Sequence, residues 1–195
     1  MYQDGSATPQ VFRSCRRASW GIISLDASGS VSSRAFGPVY APVPQTSAAG
    51  EWASFHVLLE FAGQEGVRAH QDYENIVLAM KRSVQHRLRP SSLYAGFARA
   101  SCGPGASHLL SLDKVKAHTT DLDVSHCPVL KRHKVGNDAA DLAAKEGLEA
   151  HETPSPGALR DTNAQIADAR ATLRVAAAVL PLWARVVEAV TRKFP

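Results

Sequence analysis

The chain has 195 residues, 45% hydrophobic and 21% charged, with 22 Lys+Arg against 18 Asp+Glu for a formal charge of +4. That is one ordinary domain with room for an appendage, and it is too apolar for a disordered chain. The longest apolar run (175–180) is too short to cross a bilayer, no signal segment opens the chain, and three cysteines exclude a disulfide framework or a four-thiolate zinc site. The expectation is an intracellular protein without a membrane anchor. Its basic residues cluster locally, at Arg13-Arg16-Arg17, at Lys81-Arg82 with Arg87 and Arg89, and at Lys131-Arg132-His133-Lys134. A phosphate backbone needs such patches, although each alone is equally a solvated face.

Met1-Tyr2-Gln3-Asp4 reads as the tail of a strand entering a Gly5-Ser6 turn. Ser19 to Leu25 is a strand closed by the turn cluster Asp26 to Ser30, and Val31 to Val43 is an irregular or edge strand marked by its prolines. From Ser47, Trp52, Phe55, Leu58, Leu59 and Phe61 recur at helical spacing and stop at Gly63. A short strand at 67–70 precedes a helix over Glu74–Leu88, closed by Arg89-Pro90. Leu109–Ala117 is the next strand, 119–135 reads as loop, and Asn137–Leu148 is an Ala-rich helix. The order β-β-β-α-β-α-β-α implies an α/β fold, a mixed sheet flanked by helices.

Residues 151–157 are linker-like. Beyond them Leu159, Ile166, Leu173, Leu180 and Val187 recur every seventh residue, an amphipathic stripe that Pro181 is expected to kink or split. The stripe either docks on the chain's own domain, which its small flanking residues favour, or meets a partner helix.

Four acids sit where one element gives way to the next: Asp4 at the first strand's end, Glu51 opening a helix, Asp72 after a short strand, and Asp141 in the Ala-rich helix. Singly, each has an ordinary explanation as a turn, a helix-dipole partner, a loop residue or a solvated face. With His118 they form an ordered set. The motifs that hold them are Tyr2-Gln3-Asp4-Gly5-Ser6, Gln45-Thr46 followed by Glu51, His70-Gln71-Asp72, Val115-Lys116-Ala117-His118, and Gly136-Asn137-Asp138-Ala139-Ala140-Asp141. In this order they resemble the type 1 ribonuclease H domain, including those attached to retroelement reverse transcriptases. Trp20-Gly21-Ile22-Ile23 is similar to that family's second strand, and the resemblance spans residues 1–150.

The resemblance implies a five-stranded mixed sheet flanked by helices, with residues 158–195 as a C-terminal helical extension. It implies that Asp4, Glu51, Asp72 and Asp141 hold two Mg²⁺ ions, that His118 moves a proton during product departure, and that Gly5, Ser6, Thr46 and Asn137 contact an RNA–DNA hybrid. Carboxylates suit a hard octahedral cation, and Mn²⁺ satisfies the same donors. The implied activity is endonucleolytic hydrolysis of the hybrid's RNA strand with 5′-phosphate products, in a reverse transcriptase or polyprotein context. The competing reading is a degenerate module that binds nucleic acid or scaffolds a reverse transcriptase without cutting. The chain departs from the family in several places. Only Met1, Tyr2 and Gln3 precede Asp4, as in a fragment of something longer; Tyr73 stands where the family has Ser, and Ala117 where it has Gly; and the stretches from Asp4 to Glu51 and from His118 to Gly136 are long.

Overall fold

A computed structural model describes the backbone of residues 1–8, 16–60, 62, 66–151 and 155–191, and leaves the side chains of 100, 158, 159 and 180–191 undescribed. Five strands, β1 (Tyr2–Ala7), β2 (Ala18–Leu25), β3 (Val31–Pro38), β4 (Val67–Gln71) and β5 (Leu109–Lys114), form one sheet in the order β3-β2-β1-β4-β5. β1, β2 and β3 pair antiparallel, while β4 and β5 run parallel to β1. The sheet is therefore mixed, and β3 is the edge strand its prolines indicated.

Two long helices sandwich the sheet. Ile22 and Ile23 are adjacent on β2 and so face opposite sides. Ile22 packs with Trp52, Phe55, Leu58 and Leu59 of helix α1 (Ser47–Glu60), together with Val67 and Ala69. Ile23 packs with Tyr2 and with Ala140 and Ala143 of helix α6 (Pro128–Glu149). Fully burying Phe55 or Leu58 contributes roughly 2–3 kcal/mol each. α6 instead relies on close approach. Gly136, Ala140, Ala143, Ala144 and Gly147 are its buried small residues, and a Cβ on Gly21 of β2 would lie 2.4 Å from the Ala144 nitrogen. Ser19 Oγ donates to the Ala144 carbonyl and locks the contact.

Several elements differ from the sequence expectation. β1 does not turn at Gly5-Ser6 but continues to Ala7, with Gly5 opposite Trp20. The stretch read as loop, 119–135, carries a short helix α5 (Asp121–Val124) inside a Thr120–Asp123 capping box, and then the first turns of α6, which starts at Pro128 rather than Asn137. Proline suits a first helical position, and the Lys131–Lys134 run hides the helical period because four consecutive polar residues carry no apolar spacing. Arg132 nonetheless ties α6 to the β2–β3 turn, donating to the carbonyls of Leu25, Asp26 and Ala27.

The helix expected over Glu74–Leu88 is broken into α2 (Glu74–Met80) and α3 (Val84–Arg87), because Ser83 caps a new helix by accepting from the His86 amide. A short α4 (Ala95–Ala98) and two 3₁₀ turns (Arg99–Cys102 and Pro104–His108) follow. β3 stops at Pro38, and the chain onward is held by Gln45, whose Nε2 donates to Tyr40 and Val43 carbonyls at 3.1 and 3.0 Å.

The chain divides into two compact units, Met1–Glu152 and Thr153–Pro195. Within the expected linker, 152–154 lie outside the described residues, as does the helix stop expected at Gly63. From 156 on, the described residues of the second unit form α7 (Pro156–Thr191), and of the kink or split expected at Pro181 the split does not occur, the helix running on through it. No helix among the described residues is long and apolar enough to cross a membrane.

Candidate active site

β1 and β4 run side by side in parallel, and their last registered pair is Gln3 with Gln71. One step further along each strand direction comes a carboxylate, Asp4 on β1 and Asp72 after β4. Parallel pairing alone therefore brings two acids from distant parts of the sequence to one end of the sheet. The third arrives on α1. A Cβ on Gly5 would lie 2.1 Å from the Glu51 nitrogen, and one on Gly50 would lie 2.2 Å from the Ser19 carbonyl oxygen. Only glycines let the first turn of α1 press onto β1 this closely, and that contact delivers Glu51 to Asp4.

One carboxylate oxygen from each of Asp4, Glu51 and Asp72 lies within 4.8 Å of the others. Asp4 and Glu51 are 8% and 6% exposed, and Asp72 is half-buried. Burial pushes the Asp4 carboxyl up to about 6, with the charges of Asp72 and Asp141 adding to the rise and hydrogen bonds from Glu51 and the Gly5 amide opposing it. Burial, and then the Asp4 and Asp72 charges, hold Glu51 well above its ordinary value. Asp72 is also raised, mainly by burial, against the Asn137 amide and the His118 charge. Each of the three crowded carboxyls thus holds its proton more tightly than a free one, with Glu51 the donor toward Asp4. Hard oxygen donors that repel one another are what a divalent cation such as Mg²⁺ or Mn²⁺ relieves, so the residues present fit such an ion.

The fourth acid stands beside this group rather than in it. Asp141 Oδ2 accepts from Lys145 Nζ at 2.6 Å one helical turn on, while its charge is still felt by Asp4 and Asp72. The i,i+4 spacing of Asp141 and Lys145 is the sequence signal for this pair, which the motifs above do not contain. Asn137, 4% exposed, approaches Asp72 Oδ2 at 3.5 Å through Nδ2. His118 lies on the loop after β5 with φ at +47°, a left-handed conformation uncommon for a residue with a side chain.

Of the other residues expected to touch substrate, Gly5 gives its amide to Asp4 Oδ1 at 2.6 Å, and Ser6 is partly exposed in β1. Thr46 Oγ1 accepts from the Ala49 amide at the start of α1 and lies 3.1 Å from the Tyr94 hydroxyl. A cavity of about 240 Å³ is lined by Trp52, Arg82, His86, Arg87, Arg89 and Ser92, which gathers one of the basic clusters of the sequence around an aromatic wall.

No family model and no curated protein matches the sequence. Among solved structures, the chain is similar to native prototype foamy virus protease-reverse transcriptase at 15% identity and a TM-score of 0.56, covering 78% of this chain and 21% of that one. It therefore spans about a fifth of that enzyme's length. It is similar to the foamy viral protease-reverse transcriptase in complex with RNA/DNA hybrid at 12% identity and a TM-score of 0.50, covering 75% of this chain and 19% of that one. It also aligns with the N-terminal ribonuclease H domain of a Mycobacterium tuberculosis protein at 14% identity and a TM-score of 0.48, covering 76% of this chain and 93% of that one. From its sheet order, its sandwiching helices and the likeness to the two foamy viral structures, the unit Met1–Glu152 has a ribonuclease H-like fold.

Proposed function

We propose that the chain is an endonuclease that hydrolyses the RNA strand of RNA–DNA hybrids and leaves 5′-phosphate ends. The observation that carries this reading is the convergence of Asp4, Glu51 and Asp72 within 4.8 Å at one end of a ribonuclease H-like sheet. These three, with Asp141 beside them, are the residues to hold two Mg²⁺ or Mn²⁺ ions, which when bound supply an activated water and a stabilised leaving oxygen.

The chain's own groups divide the remaining work. Asp4 and Glu51 give up their shared proton as a cation arrives, so binding is linked to proton release. Asn137 orients Asp72, and His118 moves a proton on the Asp72 side as product leaves. Gly5, Ser6, Thr46 and Asn137 are the proposed contacts to the hybrid's backbone and to the ribose hydroxyl, which tells RNA from DNA. The Arg82–Arg89 cavity adds positive charge for phosphates, so base identity matters little. The chemistry belongs to the first unit, and removal of 158–195 is expected to leave it intact.

The test is to incubate the purified chain with Mg²⁺ and end-labelled RNA–DNA hybrid, duplex DNA and duplex RNA. Cutting confined to the RNA strand of the hybrid, and abolished by Glu51→Gln, supports the reading. Binding of the hybrid with no cutting in either Mg²⁺ or Mn²⁺ overturns it in favour of a nucleic-acid-binding module.

A further inference from the structure

We propose that Gln3 and Gln71 are positioning residues for Glu51: a buried amide pair beneath the carboxylates that fixes which Glu51 oxygen faces a bound cation. The inference rests on the reading of Asp4, Glu51 and Asp72 as a metal site, and it assigns a role to two side chains that reading leaves unused. Each glutamine directly precedes one of the acids, and the two are register partners on neighbouring parallel strands. Both face α1. Gln3 pairs with Ile22, Gln71 lies two residues beyond Ala69, and Ile22 and Ala69 belong to the core that α1 covers.

Both residues are 0% exposed, on an apolar face that carries Ile22, Val67 and Ala69. Gln71 Nε2 donates to Glu51 Oε2 at 2.5 Å, which claims one carboxylate oxygen and leaves the other for the cluster. Gln71 Oε1 and both amide atoms of Gln3 are buried with no hydrogen-bond partner among the described residues. Unpaired buried amides are rare, and one turn of the Gln3 amide answers two of them. Parallel strands lie about 4.8 Å apart, so turning the Gln3 amide would bring its NH₂ to Gln71 Oε1 and complete a relay from Gln3 through Gln71 to Glu51. An amide brings a donor without a charge of its own. It orients the carboxylate and adds nothing to the repulsion among the three acids.

The test is calorimetric Mn²⁺ binding to the full chain, for the wild type, Gln71→Leu, Gln3→Leu and the double variant, with circular dichroism and urea unfolding in EDTA to establish that each folds. Gln71→Met, closer in shape, takes the same place if Gln71→Leu does not fold. The expected result is about 10-fold weaker Mn²⁺ binding in the folded Gln71 variant, the usual scale for removing a group that orients a metal ligand. Gln3→Leu loses less, and the double variant loses no more than Gln71→Leu alone, because Gln3 acts through Gln71. Unchanged Mn²⁺ affinity in a folded Gln71 variant, or losses that simply add, overturns the proposal while leaving the metal site standing. A wild type that binds no Mn²⁺ overturns both.

Discussion

Gly50 and Gly5 touch backbone to backbone: a Cβ on Gly50 would lie 2.8 Å from the Gly5 Cα and 2.2 Å from the Ser19 carbonyl oxygen. The obstacle is main chain, which cannot swing aside as a flexible side chain would. Gly50→Ala must therefore lift the start of α1 from β1 and carry Glu51 away from Asp4. The expected cost is on the order of 2–3 kcal/mol in urea unfolding, at the upper end for overpacking. Hybrid cleavage should fall further than stability explains, because the carboxylates separate. A Gly50→Ala protein with wild-type stability and activity would show that this contact does not set the site.

The metal-free cluster predicts an unusual stabilisation. The Asp4 carboxyl, ordinarily near 3.8, sits at about 6 in the folded chain. Between those values the folded state binds the proton more tightly than the unfolded state, so this group's contribution to stability declines as pH rises through the window, and the penalty is complete by pH 7. Asp4→Asn removes the charge, and its amide oxygen can still accept from the Gly5 amide. In EDTA at pH 7 the variant should be more stable than wild type by roughly 1–2 kcal/mol, while its cleavage activity disappears. Urea titrations at pH 7 and pH 4.5 check the sign: the gain should shrink at the lower pH.

The parts of this site that were legible in the sequence are those whose signal is local. Trp20 to Ile23 is a short apolar run ahead of a turn cluster, as a strand covered on both faces must be, and Gln45-Thr46 with Glu51 marks a helix start. The acids could be singled out without coordinates, but of the four only Asp72 stands at an element's end, since Asp4 lies within β1, Glu51 in α1 and Asp141 deep in α6. What escaped was set by partners far along the chain. Gly5-Ser6 has the composition of a turn, yet the residues lie in the strand, paired with Trp20 and Ser19 of β2, and Gly5 serves there as clearance for α1. The first half of α6 is masked by its basic run, and nothing in Gln71 itself says that it reaches Glu51. The standing of Asp141 beside the other three acids, paired with Lys145, is likewise invisible in the sequence.

A second pH effect has the opposite sign and comes from the other end of β1. Tyr2 stacks on His70 at 4.7 Å between ring centroids, His133 meets His70 edge-on at 4.7 Å, and the Tyr2 hydroxyl lies 3.0 Å from His133 Nδ1. Burial drives His70 from 6.5 down to about 4, helped by His133, the Met1 amine and Arg132 and opposed by Asp113. The unfolded chain takes up this proton first, so stability is lost as pH falls from about 6.5 toward 4. His70→Phe keeps a ring against Tyr2 and cannot titrate. Comparing its urea midpoint with wild type at pH 7 and pH 4.5 should show a relative gain for the variant at pH 4.5 of roughly 1–2 kcal/mol, less than full linkage because the ring is part-exposed. Parallel acid profiles for the two proteins would place the acid sensitivity elsewhere.

Arg82 and Arg89 are exposed and line the cavity beside Trp52, with Arg82 Nη1 2.7 Å from His86 Nε2. Among the described residues no acidic side chain lines this cavity with them. If they meet the hybrid's phosphates, Arg82→Ala and Arg89→Ala should each weaken hybrid binding several-fold at low salt. Each should also flatten the slope of log affinity against log salt by about 1. Neither substitution empties the core, so unfolding midpoints should not move. The effect should be equal across hybrids of different sequence, since phosphates carry no base information. Fluorescence anisotropy in Ca²⁺, at several salt concentrations and with two unrelated hybrid sequences, measures all of this. An unchanged salt slope in both variants would put the hybrid's path over a different face of the domain.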